Sequence, residues 1–507
     1  MYLIGCDIGT QGTKSVMVNE KGEVLVEAQR EYDVIKPGSN WAEQWPDVWV
    51  KAAFETIKEV SEKSGVEKKE IAALAISGLY GGSGVPVDSG MKPLHPCLIW
   101  MDRRATSQTS WVKENISRDK IFSITGNYVD SYYGFTKIMW LRDNRPDIWK
   151  KIYQFVTPKD YMVYQLTGEN AIDYSSAGNV GGVFDIRKLT WSKEMCEALG
   201  IPIEYLPERI VKSSDIVGRV TAESSKLCGL LEGTPVVSGG IDAPVAQLSA
   251  GALEEGEHVA MVGTSTCWGT VHDGKDLPFG LVSFPYVVND TERIYSFGGS
   301  ATTGALAKWF KEEFADSEES VGQRTGRSPY QLLDMEVESI PAGSDGIVVL
   351  PYFMGERSPI WDPFAKGVFF GVTLVHTRAH MYKALMEGAA YALRHNIENG
   401  IKAGLKLDDE CWIVGGVAKS TAWNRIFADI TGYKMRRVSS LVEAPFGDAF
   451  LAGLGVGLID KPERIKEWVK FRDPISPNSE NQRVYEKQYL IFRELYEKTK
   501  EIMWKMH

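Results

Sequence analysis

The stretch DIGTQGTK, residues 7–14, stands between two apolar runs, Tyr2-Leu3-Ile4 before it and Ser15-Val16-Met17-Val18 after it. Both flanks read as strands, so the segment joining them is a tight polar turn that adds nothing to a core. Glycines there let another group approach the backbone, and threonine hydroxyls and free amides suit phosphate oxygens. A carboxylate at the strand end suits a metal held through water. An aspartate that ties down a β-turn would use the same residues, so the turn alone leaves both readings open.

Working outward, the polar cluster Asn19-Glu20-Lys21-Gly22 predicts a second turn. Periodicity predicts an amphipathic helix over 47–63 and a buried strand over 71–76 that ends in the loop SGLYGGSGVPVD. Residues 96–100 read as a strand leading into MDRRA, 135–144 as an amphipathic helix, and 233–237 as a strand running into SGGID, with a helix opening at Ala243-Pro244. Strand, polar turn and helix recur, which marks a layered α/β architecture. The pattern then starts over. A strand over 258–262 ends in GTSTCWGT, an Ala-rich helix follows GGSATTG, and a strand over 411–414 runs into GGVAKS with a helix over 421–431. The likeness of DIGTQGT to VGTSTCWGT suggests two related halves, although two short matches are not a period. From Pro462 onward the chain is charged, with Trp468, Phe471, Tyr485, Tyr489, Phe492 and Tyr496 at helical spacing, and reads as a helical extension that packs on the body.

Composition bounds the function. A chain of 507 residues is too long for one core and implies about two to four domains. A net charge of -10 argues against a nucleic-acid binder, which needs a basic surface, but not against a phosphate held by backbone amides and a metal. No apolar run reaches the ~18 residues of a membrane span and the N-terminus lacks a secretory pattern, so the expected location is cytoplasmic. The six cysteines are scattered without a CxxC, which predicts neither a disulfide framework nor a zinc site.

Four further segments carry candidate chemistry. In Ser238-Gly-Gly-Ile-Asp242 the acid is either a helix cap, with Pro244 suited to the first turn, or a general base aimed at a hydroxyl. The glycines of GGVAKS admit a flat ring or a phosphate, or simply make a tight turn. Trp41 to Gln44 offers an aromatic face and polar groups for a sugar, or a packed corner. Asp102-Arg103-Arg104 could reach a substrate or form a solvated ion pair. Neither GxxxxGK[ST] nor a strand-borne GxGxxG occurs.

Taken in order with YFMGERSPIWDP and MEGAAYALRHNIE, these motifs resemble the FGGY family of carbohydrate kinases, of the actin-like, ribonuclease-H-like ATPase superfamily, from about residue 2 to about residue 460. The resemblance implies an α/β fold of two actin-like domains with an ATP and sugar cleft between them. The units expected are 1–245 on the sugar side, 246–460 on the nucleotide side and a helical extension over 461–507. It places Gly9, Thr10, Gln11, Gly12, Thr13 and Lys14 near the ATP phosphates, Asp7 on Mg2+ through water, and Asp242 as the general base. Gly263, Thr264 and Ser265 would form a second phosphate loop, Thr303 and Gly304 would lie along the nucleotide, and Gly415, Gly416 and Lys419 would border adenosine. Leu79, Tyr80, Gly81, Trp41, Gln44, Asp102 and Arg103 would face the sugar.

The implied reaction is transfer of the γ-phosphoryl group of ATP to a ketopentose-like sugar, D-xylulose first, with ribulose, erythrulose or gluconate as alternatives. WAEQ and YFMGERSPIWDP favour the xylulose kinase branch over glycerol kinase. A non-catalytic sugar- or nucleotide-binding switch on the same fold is the competing class, against which both Asp7 and Asp242 stand in their motifs. No nucleic-acid or membrane partner is implied, and a homodimer is left open. Two departures bear on specificity: Gly78-Leu79-Tyr80-Gly81-Gly82 stands where xylulose kinases often carry Gln-Met-His, and Val417 where a third glycine is frequent.

Overall fold

The computed structural model describes residues 1–80, 82–439 and 443–506, so Gly81 lies outside the described residues. The first half is built on a six-stranded sheet. β1 (Tyr2–Ile8), β2 (Gly12–Asn19) and β3 (Val24–Glu31) form an antiparallel meander. Asn19 makes the second turn, its Oδ1 accepting from the amides of Lys21 and Glu23. The helix α1 (Pro46–Lys63) starts on a proline and buries Trp49, Ala53, Ile57 and Val60 against the sheet. It delivers the chain to β4 (Ile71–Gly78), parallel to β1 in a register that sets Ser77 beside Asp7.

A helical region follows β4, and the chain returns through β5 (Ile216–Arg219) and β6 (Pro235–Val237). β6 runs parallel to β4, and a bridge pairs Gly78 with Ile241 just before helix α2 (Asp242–Ser249). The parallel strands β1, β4 and β6 therefore end on one side, and their ends gather Asp7, Ser77 and Asp242. Ligands sit outside the carboxyl ends of strands in such sheets.

The second half repeats the plan. β7 (His258–Val262), β8 (Thr266–His272), β9 (Val282–Pro285) and β10 (Ile294–Ser300) form the antiparallel part of another six-stranded sheet, in the order β9, β10, β8, β7. Helix α3 (Gly304–Phe314) follows β10 directly. A long helix, α4 (Arg378–Lys402), crosses to β11 (Glu410–Val414), which lies parallel to β7. After helix α5 (Thr421–Thr431) comes β12 (Lys434–Arg437), parallel to β11. The ends of β7 and β11 bring residues 263–265 next to Gly415 and Lys419.

Helix α6 (Ala444–Gly455) belongs to the second half by sequence but lies on the first sheet. Its approach is so close that a Cβ on Gly5 would fall 1.7 Å from the Pro445 carbonyl oxygen. Helix α7 (Ser479–Trp504) buries Tyr485, Tyr489, Phe492 and Tyr496 in the core of the second half, whereas Trp468 joins the core that spans both. No helix among the described residues is long and apolar enough to cross a membrane.

Candidate active site

The turn after β1 is held from three sides. Gly9 N–H donates to the Gly12 carbonyl at 2.9 Å, and Tyr32 donates to the Gly9 carbonyl at 2.7 Å while its oxygen lies 3.0 Å from Thr13 Oγ1. Gln44 Nε2 donates to the Thr10 carbonyl and Trp100 Nε1 to the Thr10 hydroxyl, both at 2.9 Å. Thr13 is thus buried against Tyr32, whereas Gln11 is exposed. Lys14 pairs with Glu27 at 3.0 Å and Glu443 at 2.5 Å. Rim pairs of this kind are worth at most about 1 kcal/mol each, so turning Lys14 toward a phosphate costs little.

Asp7 Oδ1 lies 2.8 Å from the Ser77 hydroxyl, which also lies 2.6 Å from Asp448 Oδ2 on α6. One hydroxyl has one proton to donate. Burial pushes Asp448 well above the usual carboxylate range, against the hydrogen bond from Ser77. Burial also raises Asp7, with the Ser77 hydrogen bond opposing and Glu443 adding to the rise. Asp242 is raised by burial first and by the charge of Asp7 second, against the hydrogen bond from Ala243 N–H at 2.7 Å. Asp242 occupies the first helical position rather than the cap, which is Ile241 without a side-chain bond. Its carboxylate is therefore not consumed by capping.

The loop before Asp242 is rigidly placed. Gly239 has φ +68°, and a Cβ there would lie 2.0 Å from the Ile76 carbonyl oxygen, so only glycine lets the loop cross β4. Ile241 N–H donates to Ser175 Oγ at 3.1 Å, and Ser175 in turn donates to Asp173. Lys159 is buried between Asp160 at 2.5 Å and Asp173 at 2.9 Å and donates to the Ser238 carbonyl at 3.1 Å. None of Lys159, Asp173, Ser175 or Asp448 stood out in the sequence, because each is a common residue in a helix or strand without a motif of its own, and Ser77 reads only as the first residue of a glycine-rich loop.

On the sugar side the structure separates the expected residues. Asp102 is wholly buried, accepting from Ala42 N–H at 2.7 Å and clamping Arg104 through Oδ2 at 2.6 Å. Trp41 lies 3.7 Å under the Arg104 guanidinium, and Gln44 has its amide oxygen on Trp49 and its nitrogen on Thr10. Asp102 and Gln44 therefore have their polar atoms engaged in the wall behind the first turn, whereas Trp41 stacks on Arg104 and stays partly exposed. Leu79 is buried and its N–H is taken by the Ile8 carbonyl, while Tyr80 is buried with its oxygen accepting from Gly134 N–H and its ring 4.9 Å from Tyr132. Arg103 faces Asp130 at 2.5 Å. Tyr132 feels the charges of Arg357, Asp242 and Arg103, in that order, and marks where these groups converge.

The second turn is held by backbone. Gly304 N–H donates to the Gly263 carbonyl, and Thr303 and Ala305 N–H donate to the Thr264 carbonyl, each at 3.0 Å. Thr303 Oγ1 lies 2.7 Å from Thr266 Oγ1. A cavity of about 840 Å³ opens here, lined by Gly263, Thr264, Gly304, Gly416, Val417 and Lys419 among apolar and aromatic neighbours such as Trp309, Tyr330, Tyr382 and Trp423. Such a volume and lining suit a nucleotide base and ribose. Ser265, Thr303 and Gly415 do not line the cavity. Gly415 has φ +96° and a Cβ there would meet the Val262 carbonyl oxygen at 2.5 Å, so its role is the strand-to-turn crossing.

No group of three or more metal-ligating side chains occurs among the described residues. Two mutually repelling acids at the strand ends fit a hard cation shared with substrate phosphates and water, the usual setting of Mg2+, better than a closed protein cage.

The chain is 30% identical over 503 residues to the xylulose kinase of Bacillus subtilis (strain 168), covering 99% of this chain and 98% of that one. It is 28% identical over 473 residues to the gluconokinase of the same organism, covering 92% and 90%. The crystal structure of xylulose kinase from Rhodospirillum rubrum superposes with a TM-score of 0.88 at 25% identity, covering 99% and 100%. Residues 2–249 match the N-terminal domain, and residues 258–456 the C-terminal domain, of the FGGY family of carbohydrate kinases. The chain thus belongs to the FGGY family, a group of phosphotransferases that use ATP and an alcohol group as acceptor.

Proposed function

We propose that this kinase phosphorylates an open-chain ketopentose, with D-xylulose as the leading acceptor, and that Asp242 is its general base. The observation that carries the reading is the state of Asp242. Its carboxylate has one backbone partner, and burial together with Asp7 raises its proton affinity toward the working pH, as a general base requires. The xylulose kinases among its relatives support the choice of sugar. Gluconate is the second reading, favoured by the gluconokinase relative.

In the mechanism this implies, the cavity beside Gly416 and Val417 holds the base and ribose of ATP, and the amides of 264–265 and 10–11 face its phosphates. Asp242 takes the proton of the sugar hydroxyl as that oxygen attacks. Closure of the two halves excludes water and limits hydrolysis. Mg2+ would be held by Asp7 through water, supplying charge neutralisation across the phosphates.

The test is coupled ADP release with Mg-ATP against D-xylulose, D- and L-ribulose, L-xylulose, erythrulose, gluconate and glycerol. D-xylulose is expected to give the highest kcat/KM, and a higher value for gluconate would replace it. Asp242→Asn is expected to lower kcat by about 100-fold or more with little change in acceptor KM. Intact turnover in that variant would remove Asp242 from the role.

A further inference from the structure

The segment YFMGERSPIWDP, residues 352–363, which precedes α4, carries an arginine to which the sequence alone assigns no role. Arg357 is half-buried; its N–H donates to Glu356 Oε1 at 2.7 Å, and its guanidinium meets backbone carbonyls, Nη2 donating to Thr266 at 3.3 Å and to Ser300 at 3.2 Å. Those two residues are paired across β8 and β10, so the guanidinium is docked at a fixed point beside the second turn. Its Nε is buried without a partner. The neighbouring arginines differ: Arg103 and Arg104 each hold a carboxylate, whereas among the described residues no ion pair engages the Arg357 guanidinium, and Glu356 feels its charge while accepting from its backbone N–H.

Three surroundings define what the guanidinium faces. Its carbon lies 6.0 Å from the ring centroid of Trp100, the residue that hydrogen-bonds the Thr10 hydroxyl in the first turn. A Cβ on Gly299 would fall 2.7 Å from Nη2, so glycine at that position leaves the space the arginine occupies. Its charge reaches Tyr132 and Cys267, both of which also feel Asp242. The cation is thus set among the first turn, the second turn and the general base, the three parts between which a phosphoryl group must travel. A half-buried guanidinium bonded only to backbone carbonyls keeps donors in reserve, and an anionic oxygen arriving there would take them.

We propose that Arg357 is a catalytic residue, its guanidinium binding the oxygens of the phosphoryl group while that group passes from ATP to the sugar hydroxyl. In the step it serves, the bond from the γ-phosphorus to the bridging oxygen breaks and its electron pair stays on ADP. The sugar oxygen forms the new bond to phosphorus, and the hydroxyl proton goes to Asp242. Charge spread over the moving phosphoryl oxygens is what a positioned guanidinium stabilises, and it stabilises it more in the transition state than in either ground state. Arg103 is the weaker candidate for this work because Asp130 already neutralises it.

The test uses Arg357→Ala and Arg357→Lys in the full chain, assayed with the best acceptor of the wild type. Both should lose about 100-fold or more in kcat while KM for ATP and acceptor stays within about threefold. Millimolar guanidinium chloride should restore at least about tenfold of the Arg357→Ala loss, a recovery that a packing defect would not show. A readout without turnover is calorimetric binding of ADP with magnesium and aluminium fluoride, a mimic of the phosphoryl group in flight. That complex should weaken about 100-fold in the variants while ADP alone binds as in the wild type. Should Arg357→Ala not fold, the kinetic split and the aluminium fluoride contrast in Arg357→Lys decide. The proposal is overturned by unchanged kcat, by equal weakening of ADP and its aluminium fluoride complex, or by a loss confined to KM for gluconate. The last outcome would assign the guanidinium to a substrate carboxylate. A wild-type chain inactive on every acceptor would sink the choice of sugars, and the aluminium fluoride contrast would still judge Arg357.

Discussion

In the first half, β1 turns at residues 9–11 into β2 with β4 alongside in parallel; in the second, β7 turns at 263–265 into β8 with β11 alongside in parallel. The frames match and the contents diverge. Beside the first turn stand Asp7 and Ser77, with Asp242 at the end of the next strand. At the matching places of the second stand Met261 and Val414, and the turn opens on the cavity beside Gly416. The fastening differs as well. Side chains of Tyr32, Gln44 and Trp100 hold the first turn, whereas amides at the start of α3 hold the second. A turn that must place a charge is fixed by directed side-chain bonds, and a turn that only offers amides is fixed by backbone and left open in front.

If the halves have divided the labour in this way, damage to each turn should appear in a different kinetic constant. Asp7→Asn is expected to lower kcat on the order of 100-fold at fixed magnesium, with part of the loss recovered as magnesium is raised. A loss seen only in KM for ATP would break the comparison. Gly304→Ala would put a Cβ 2.4 Å from the Gly263 carbonyl oxygen and displace the second turn. The expectation is a KM for ATP raised about tenfold, or ~1.4 kcal/mol of binding, with acceptor KM unchanged.

A pH profile sharpens the same contrast. Burial and the charge of Asp7 both raise Asp242, and the base must be ionised to act. Activity should therefore fall on acidification at a pH above the ordinary carboxylate range. Removing the Asp7 charge favours the ionised form, so the acid limb of Asp7→Asn should move to lower pH; Gly304→Ala should leave the limb where it is. The smallest effect belongs to the fastening. Gln44→Leu leaves the Thr10 carbonyl and Trp49 N–H without their partner and should cost about 1–2 kcal/mol of stability, read as a lowered Tm, with kcat changed only a few-fold.

Strand-and-turn chemistry was legible because it is local. The hydrophobic run over 258–262 and the helix over 421–431 coincide with their elements, and the strand over 71–76 extends only to Gly78. The strand read over 96–100 shrinks to Cys97–Leu98, since its partner Glu43–Gln44 is only two residues long. Helix α4 has no stripe to read: it is buried on several faces along 25 residues, so apolar residues recur all round it. The acids at the strand ends could be suspected from their turns. The contacts of Asp448 with Ser77 and of Arg357 with Thr266 could not, because they span 371 and 91 residues of chain, and no local spacing records such a meeting.

The strap of α7 has a consequence in time. Tyr496 and Trp504 both donate to Asp362 at 2.9 Å. The adjoining Trp361 lies 4.7 Å from Tyr128 in the first half, on the same loop as Arg357. Residues 479–504 are made after everything they brace, and at about 5–20 residues per second their synthesis follows that loop by several seconds or more. A growing chain can therefore complete its first sheet and its nucleotide cavity while the loop that joins the halves still lacks its anchor.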